Sequence, residues 1–341
     1  MIFGIIAIIV ATIALSWWLL GRLITVLIKK EIVDHPNART LHKGVVPRGG
    51  GLVIVGGLLL GLLCITLISG KPLFYGAFTA LMLAWASLSW LDDRNNLSPR
   101  LRFLTQLGIA LITLVCFGWV DHVQAVNLAW FGPLLSLVGL VWMANLYNFM
   151  DGMDGLAGSQ SVIAAVTLTF WFYISGAPYL AAVCLLVSAC SYGFLLRNWN
   201  PAQIFMGDVG SITLGAFFGT LIIIGVSYYN LSVLSFVSLF AVFIVDATVT
   251  IILRACRGEK VWLPHRQHFY QRLANAGYGH SNIVLAAIVL MILCSLLATF
   301  GMAYHDKIMV SIVSVIVLIF IAIILVVLLE KKANKANNTN L

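Results

Sequence analysis

The chain has 341 residues, of which 61% are hydrophobic and only 9% charged, and its formal net charge is +8. Soluble domains carry about 25% charged residues, so this composition excludes an ordinary soluble fold and predicts an all-α polytopic membrane protein. The positive balance suits Lys and Arg held beside an anionic leaflet and gives no reason to invoke nucleic acid.

Crossing ~30 Å of hydrocarbon takes roughly 20 apolar residues. Eleven stretches read as transmembrane helices: 3–28, 51–69, 73–91, 103–120, 130–146, 161–175, 179–196, 212–229, 231–253, 283–304 and 308–329. The first has no charge before Arg22 and is followed by Lys29 and Lys30. Cationic loops stay inside, so the N-terminus is expected outside, in the periplasm, and every second loop in the cytoplasm. Seventeen of the 20 Lys and Arg then fall in inside segments, against two outside, Lys71 and Lys307. Residues 1–20 lack a basic leader and read as an uncleaved first helix. Residues 1–329 are expected to form one integral-membrane domain, and residues 330–341 a disordered cytoplasmic tail. Cys64, Cys116, Cys184, Cys190, Cys256 and Cys294 show no paired metal spacing and read as packing residues.

Five of the nine aspartates fall in three short inside segments. Carboxylates gathered at span ends with few neutralising cations suggest a divalent metal and a phosphorylated substrate. The first inside loop, 34–51, precedes these acids and holds Arg39, Lys43 and Arg48 before Gly49-Gly50-Gly51. It reads either as an anion site at a helix start or as a basic loop obeying the positive-inside rule. Asp92-Asp93-Arg94 ends the third span. Neighbouring residues on a helix diverge by about 100°, so one acid is expected to face a site while the other pairs with Arg94, Arg100 or Arg102.

The segment Asn148-Phe149-Met150-Asp151-Gly152-Met153-Asp154-Gly155 repeats an Asp-Gly step three residues apart. In a helical turn Asp151 and Asp154 would share one face. Asn198 to Ser211 joins two further spans, with Asp208 between glycines at a helix start. There an acid and free amides can meet one phosphate–metal unit, which makes Asp208 the leading metal-ligand candidate; Ser211 alternatively caps the helix. Asp246 lies inside the ninth span, where an ionisable group needs a partner or a polar cavity, and both structural and catalytic roles are open. Arg254 lies eight residues on, about 12 Å along a helix, too far for a direct pair. The last large loop places His265, Arg266, His268 and Arg272 together, donors suited to pyrophosphate or sugar hydroxyls.

Together these motifs resemble the polyprenyl-phosphate N-acetylaminosugar-1-phosphate transferase superfamily, glycosyltransferase family 4. The resemblance runs in order along nearly the whole chain. Its most specific pieces are the Asp92-Asp93 pair, residues 148–155, residues 198–211 and the histidine-containing last loop. It implies an enzyme that moves a sugar-1-phosphate from a UDP-sugar to undecaprenyl phosphate, releasing UMP with Mg²⁺ or Mn²⁺ at the bacterial inner membrane. Pro47-Arg48-Gly49-Gly50-Gly51 and His265 to Leu273 resemble the branch that starts O-antigen or related surface glycans. The peptidoglycan branch carries a three-histidine run absent here, and a threonine where this chain has Arg48. UDP-GlcNAc or a 6-deoxy relative, UDP-N-acetylfucosamine or UDP-N-acetylquinovosamine, is therefore the expected donor.

The resemblance further implies a metal role for Asp208 and places Asp92 or Asp93 near the lipid phosphate. It assigns Asn148, Asp151, Asp154 and Phe205 to the nucleotide pocket, Asn198 to substrate binding, and Lys43, Arg48, His265, Arg266 and His268 to pyrophosphate and sugar. It also implies a homodimer, with no interface legible in the sequence. The competing class is a secondary transporter with ion-carrying intramembrane acids; most acids here lie in loops and no inverted repeat is evident. CDP-alcohol phosphotransferases end their motif in an Asp-x3-Asp pair, whereas two residues separate Asp151 from Asp154.

Overall fold

A computed structural model of the protein describes residues 2–34, 44–95, 97–123, 126–261, 263, 265–304 and 307–339. Its elements in chain order begin with α1 (Ile2–Lys29) and a short antiparallel pair, β1 (Val33–Asp34) with β2 (Val46–Pro47). Then come α2 (Gly51–Ile68), α3 (Pro72–Asn95), α4 (Pro99–Phe117) and a second antiparallel pair, β3 (His122–Val123) with β4 (Val126–Asn127). The rest is helical: α5 (Phe131–Met150), α6 (Leu156–Ile174), α7 (Pro178–Asn198), α8 (Asp208–Tyr229), α9 (Val233–Leu239), α10 (Ala241–Cys256), α11 (Phe269–Asn275), α12 (His280–Ala303) and α13 (Ile308–Thr339).

Among the described residues ten helices are long and apolar enough to span a bilayer, and the bent pair α9–α10 brings the number to eleven. The span expected as continuous over 231–253 is thus broken, by 80°. Phe240 caps the end of α9 and the start of α10. Its buried ring is wedged beside Phe218 at 5.2 Å, a packing interaction that hydropathy does not register. Several helices, α4, α6, α8 and α12 among them, start three or more residues before their apolar runs, because local capping and turn residues set their ends. Ser98 accepts from the Leu101 amide, with Pro99 at the first position of α4, and α6 begins at Leu156 beyond a left-handed Gly155. The last helix, α13, is described to Thr339, and its Glu330 binds Arg272 at 2.5–2.8 Å.

The most enclosed helix is α8, surrounded by α2, α3, α4, α5, α6 and α9, whereas α1 and α13 lie mostly exposed at the periphery. Small residues allow this central seat. A Cβ at Gly215 would lie 2.4 Å from the Met143 carbonyl of α5, and one at Gly51 only 2.2 Å from Gly210 Cα. The second contact brings the N-termini of α2 and α8 together, so it also builds the site. Other cross-bundle contacts join the Asp93, Asn148, Asn198, Asp208, Tyr270 and Glu330 ends of their helices. The acid-bearing ends therefore converge at one end of the bundle.

Candidate active site

At that end a cavity of about 300 Å³ opens between the start of α8 and three loops. Its walls include Asp34, Arg48, Asn148, Asp151, Asp154, Asn198, Phe205 and Asp208, with Gln271 and His280 from the C-terminal part of the chain. One wall forms where the segment before α2 docks on the loop before α8. The Gly49 and Gly50 amides donate to the Phe205 carbonyl at 3.0 and 2.8 Å, and the Phe205 amide donates to Pro47 O at 2.9 Å. Gly207, at φ +77°, lets the chain turn beneath Arg48 before entering α8.

That docking carries Arg48 across 160 residues of sequence to Asp208, which its guanidinium contacts directly. The same nitrogen lies 3.0 Å from Asp93 Oδ1. Asp93 Oδ2 accepts from the Val209 amide at 3.3 Å, and Asn148 Nδ2 donates to Asp208 Oδ1 at 2.9 Å and Ser211 Oγ at 3.0 Å. Both acids thus sit at the positive end of the α8 dipole, where negative charge is stabilised. Burial alone would lower the Arg48 pKa, but the carboxylates of Asp208, Asp93, Asp151 and Asp34 outweigh it and hold the guanidinium above its usual range. Asp151 shows the opposite imbalance. Enclosure, then the nearby Asp208, Asp154 and Asp93 charges, push its carboxyl well above the usual carboxylate range despite Arg48.

The two adjacent acids separate as their helical spacing requires. Asp93 enters the cluster, whereas Asp92, 6% exposed, takes the Leu97 amide and Arg102 Nη1, both at 3.0 Å. Asp92 therefore caps and braces the turn from α3 to α4. Asp151 and Asp154 do not share a helical face: α5 stops at Met150, and 151–155 is a loop. Asp154 accepts from the Ala202 amide at 3.0 Å, which ties that loop to the one before α8. Asn198 strengthens the tie, accepting from the Gly155 amide at 2.8 Å and donating to Ile204 O at 2.9 Å. Ser211 is not the cap of α8; Gly207 is, and Ser211 Oγ lies one turn inside, within reach of Asn148.

The last loop divides in a way the sequence does not announce. His268 is buried, and its Nδ1 lies 3.0 Å from Asp246 Oδ1. Asp246 also accepts from the Phe269 and Tyr270 amides at 3.0 and 3.4 Å and from Thr250 at 3.4 Å. The intramembrane acid thus anchors the start of α11. Burial, followed by His268 and Arg254, pushes His265 down to about 4. Arg254, too far from Asp246 to pair, instead binds Glu259 at 2.8 Å and the carbonyls of Lys260, Val261 and Leu263. Neither His265, Arg266 nor His268 lines the main cavity; Arg266 lines a second one with Arg257 and Arg272. Lys43 lies outside the described residues.

What the loop does contribute is Gln271, while His280 enters from the first turn of α12. Sequence reasoning assigned neither; their only signal is membership of the same inside segment as the histidine loop. Tyr270 locks the arrangement, donating to Phe149 O at 3.0 Å above Gly152. The cavity is therefore an acid-rich, hydrogen-bonded recess with one guanidinium held among its carboxylates, suited to a phosphorylated ligand accompanied by a hard cation.

Comparison with known proteins agrees with this chemistry. The family model described as glycosyl transferase family 4 matches residues 74–226, which include Asp93, Asp151 and Asp208 but not Arg48 or the last loop. A probable undecaprenyl-phosphate N-acetylglucosaminyl 1-phosphate transferase of Bacillus subtilis (strain 168) is 31% identical over 283 residues, covering 80% of this chain and 77% of that protein. The undecaprenyl-phosphate alpha-N-acetylglucosaminyl 1-phosphate transferase of Escherichia coli (strain K12) is 28% identical over 294 residues, 80% of this chain and 76% of its own. A phospho-N-acetylmuramoyl-pentapeptide-transferase of Synechococcus elongatus (strain ATCC 33912 / PCC 7942 / FACHB-805) is 33% identical over a shorter 203 residues, 53% of this chain and 54% of its own. With a relative of 31% identity aligned across most of both chains, and the family model spanning the central acid motifs, this chain belongs to glycosyl transferase family 4.

Proposed function

We propose that the chain transfers an N-acetylaminosugar-1-phosphate from a UDP-sugar to undecaprenyl phosphate and releases UMP. The observation that carries this is the convergence of Asp93, Asp208 and Asp151 around Arg48 at the N-terminus of α8, at the end of a membrane-spanning bundle. A transporter reading loses its main support because Asp246, the acid deepest in a span, is committed to His268 and the backbone of α11.

The residues present fit a divalent cation shared with substrate. Among the described residues no three His, Cys, Asp or Glu groups form a protein cage, but Mg²⁺ usually takes one or two carboxylates and completes its shell with phosphate oxygens and water. Asp208 in the first turn of α8 is the carboxylate we assign to Mg²⁺ or Mn²⁺, with Asp151 facing the same cavity. When bound, the cation supplies positive charge to the crowded phosphate oxygens.

In the reaction an oxygen of the lipid phosphate bonds to the sugar-bearing phosphorus of the donor. The bond from that phosphorus to the bridging oxygen breaks, and UMP leaves with that oxygen. Phosphate monoesters have a second pKa near 6, so the acceptor is largely deprotonated at neutral pH and needs no dedicated base. Asp93 is accordingly assigned to holding Arg48 and the Val209 amide in place, and Arg48 to the donor phosphates. This is positioning and electrostatic stabilisation, the usual substance of phosphoryl-transfer catalysis. Asn148 orients Asp208, while Phe205, Gln271 and His280 offer nucleotide-side contacts.

The Lys and Arg bias supports an orientation with this end of the bundle in the cytoplasm, where a UDP-sugar is met, and with the N-terminus in the periplasm of a bacterial inner membrane. UDP-GlcNAc or a 6-deoxy relative is the donor we favour, and the first lipid-linked step of O-antigen or a related glycan the pathway position. Two aligned relatives are named for N-acetylglucosaminyl 1-phosphate transfer over about four-fifths of this chain, which supports that preference. A panel of UDP-sugars assayed for UMP release with undecaprenyl phosphate tests it. Turnover confined to UDP-MurNAc-pentapeptide would overturn the donor assignment, and no turnover with any donor would overturn the reaction.

A further inference from the structure

A second cavity, of about 220 Å³, opens between α10 and the last loop, walled by Thr250, Leu253, Arg257, Arg266, Gln267 and Arg272. Three guanidiniums meet there, and no carboxylate lines the cavity among the described residues. The nearby acids flank it: Glu259 pairs with Arg254 and lies 3.9 Å from Arg257, and Glu330 pairs with Arg272. The three lining arginines outnumber those two flanking carboxylates, one of which also engages Arg254, so the pocket keeps a positive surplus. Planar guanidiniums bind phosphate oxygens in paired hydrogen bonds. This pocket shares no lining residue with the main cavity; Gln271 faces one and Arg272 the other, on different sides of α11.

Its setting indicates where the phosphate comes from. The wall residue Leu253, with Ile252 beside it, is exposed on α10, and Leu325 and Leu328 are exposed on α13 just before Glu330. Exposed apolar side chains suited to acyl chains thus precede the arginines on α10 and Glu330 on α13, where the apolar runs of both helices end. Basic pockets between spans on the inner side suit anionic headgroups. We propose that the Arg257–Arg266–Arg272 pocket binds the headgroup phosphate of an anionic membrane phospholipid, clamping α10, α11 and α13 together.

The full chain, purified in neutral detergent, is titrated with dioctanoyl phosphatidylglycerol while its thermal unfolding midpoint is followed. Dioctanoyl phosphatidylcholine and inorganic phosphate serve as comparison ligands. A saturable rise is expected with phosphatidylglycerol only. Arg257→Gln, at an exposed side chain, should weaken the apparent affinity roughly tenfold, the loss of one charge-assisted contact. The double variant Arg257→Gln/Arg266→Gln should show no saturable rise. Equal stabilisation by phosphatidylcholine, or unchanged affinity in both variants, overturns the site. An equal effect of inorganic phosphate at the same concentration overturns its assignment to a lipid. The readout uses neither donor nor acceptor substrate, so its failure would be separate from failure of the proposed reaction.

Discussion

Replacing Gly152 with alanine tests how the last loop is held against the cavity. The backbone there is not left-handed, so the change acts through space and not through strain. The new Cβ would lie 2.1 Å from Tyr270 Oη and 3.2 Å from its Cζ. Tyr270 cannot simply swing aside: it is 5% exposed, its hydroxyl donates to Phe149 O, and its amide is held by Asp246. Overpacking costs about 1–3 kcal/mol, and leaving a buried hydroxyl or carbonyl unpaired costs about 1–3 kcal/mol. Gly152→Ala should therefore destabilise by about 3 kcal/mol and impair turnover by displacing Gln271. Tyr270→Phe removes the offending oxygen, so the double variant should recover about 1–2 kcal/mol relative to additivity. Thermal unfolding of the four proteins in one detergent, with transfer rates alongside, reads both effects. A neutral Gly152→Ala, or strict additivity with Tyr270→Phe, would refute the packing argument.

Four further substitutions test the site and the last loop beside it. Asp93→Asn should lower kcat by about 10²-fold or more, the scale of losing one preorganised electrostatic group. Asp92→Asn should chiefly lower stability, by about 1–3 kcal/mol, so equal kcat losses in the two variants would contradict their separate roles. Arg48→Lys keeps the charge but removes the planar guanidinium, whose Nη2 meets both Asp93 and Asp208 while its other donors stay available to phosphate oxygens, and should raise the donor KM or lower kcat at least tenfold in steady-state assays. His265, with a folded pKa of about 4 against about 6.5 unfolded, binds fewer protons folded than unfolded in between. Its contribution therefore destabilises the protein as pH falls below about 6.5, reaches full size below about 4, and vanishes above 6.5. His265→Gln should flatten the acid side of the unfolding-midpoint profile; an unchanged difference from the parent between pH 7 and 5 would contradict a half-buried imidazole held neutral.

Much of this architecture was legible in the chain because the bilayer imposes its own grammar. Long apolar runs and the Lys and Arg bias describe the spans and group the acids at one end, and the contacts among Asp93, Asn148, Asn198 and Asp208 realise that grouping. The 80° break at Phe240 was hidden because hydropathy runs unbroken through 231–253 while aromatic packing sets the bend. Asp92 and Asp93 are equivalent as letters; only the positions of Arg102 and Val209 separate them. The Asp151–Asp154 spacing suggested a helical face, but two glycines and the tie from Asp154 to Ala202 produce a loop. The pairing of His268 with Asp246 was hidden because the acid lies 22 residues away in another element. Gln271 and His280 were missed for the complementary reason, since neither carries a local motif.

Asp208, the acid at the head of α8, is engaged by both Arg48 and Asn148 and carries the proposed cation role. Purified parent protein and Asp208→Asn should be compared for transfer of labelled sugar-phosphate from UDP-GlcNAc to undecaprenyl phosphate across a Mg²⁺ titration, with unfolding midpoints measured in parallel. The parent should form lipid-linked product and UMP in equal amounts, and the variant should lose at least about 10²-fold in rate while remaining folded. Near-parental, Mg²⁺-dependent turnover by Asp208→Asn would contradict a cation-holding role for this carboxylate.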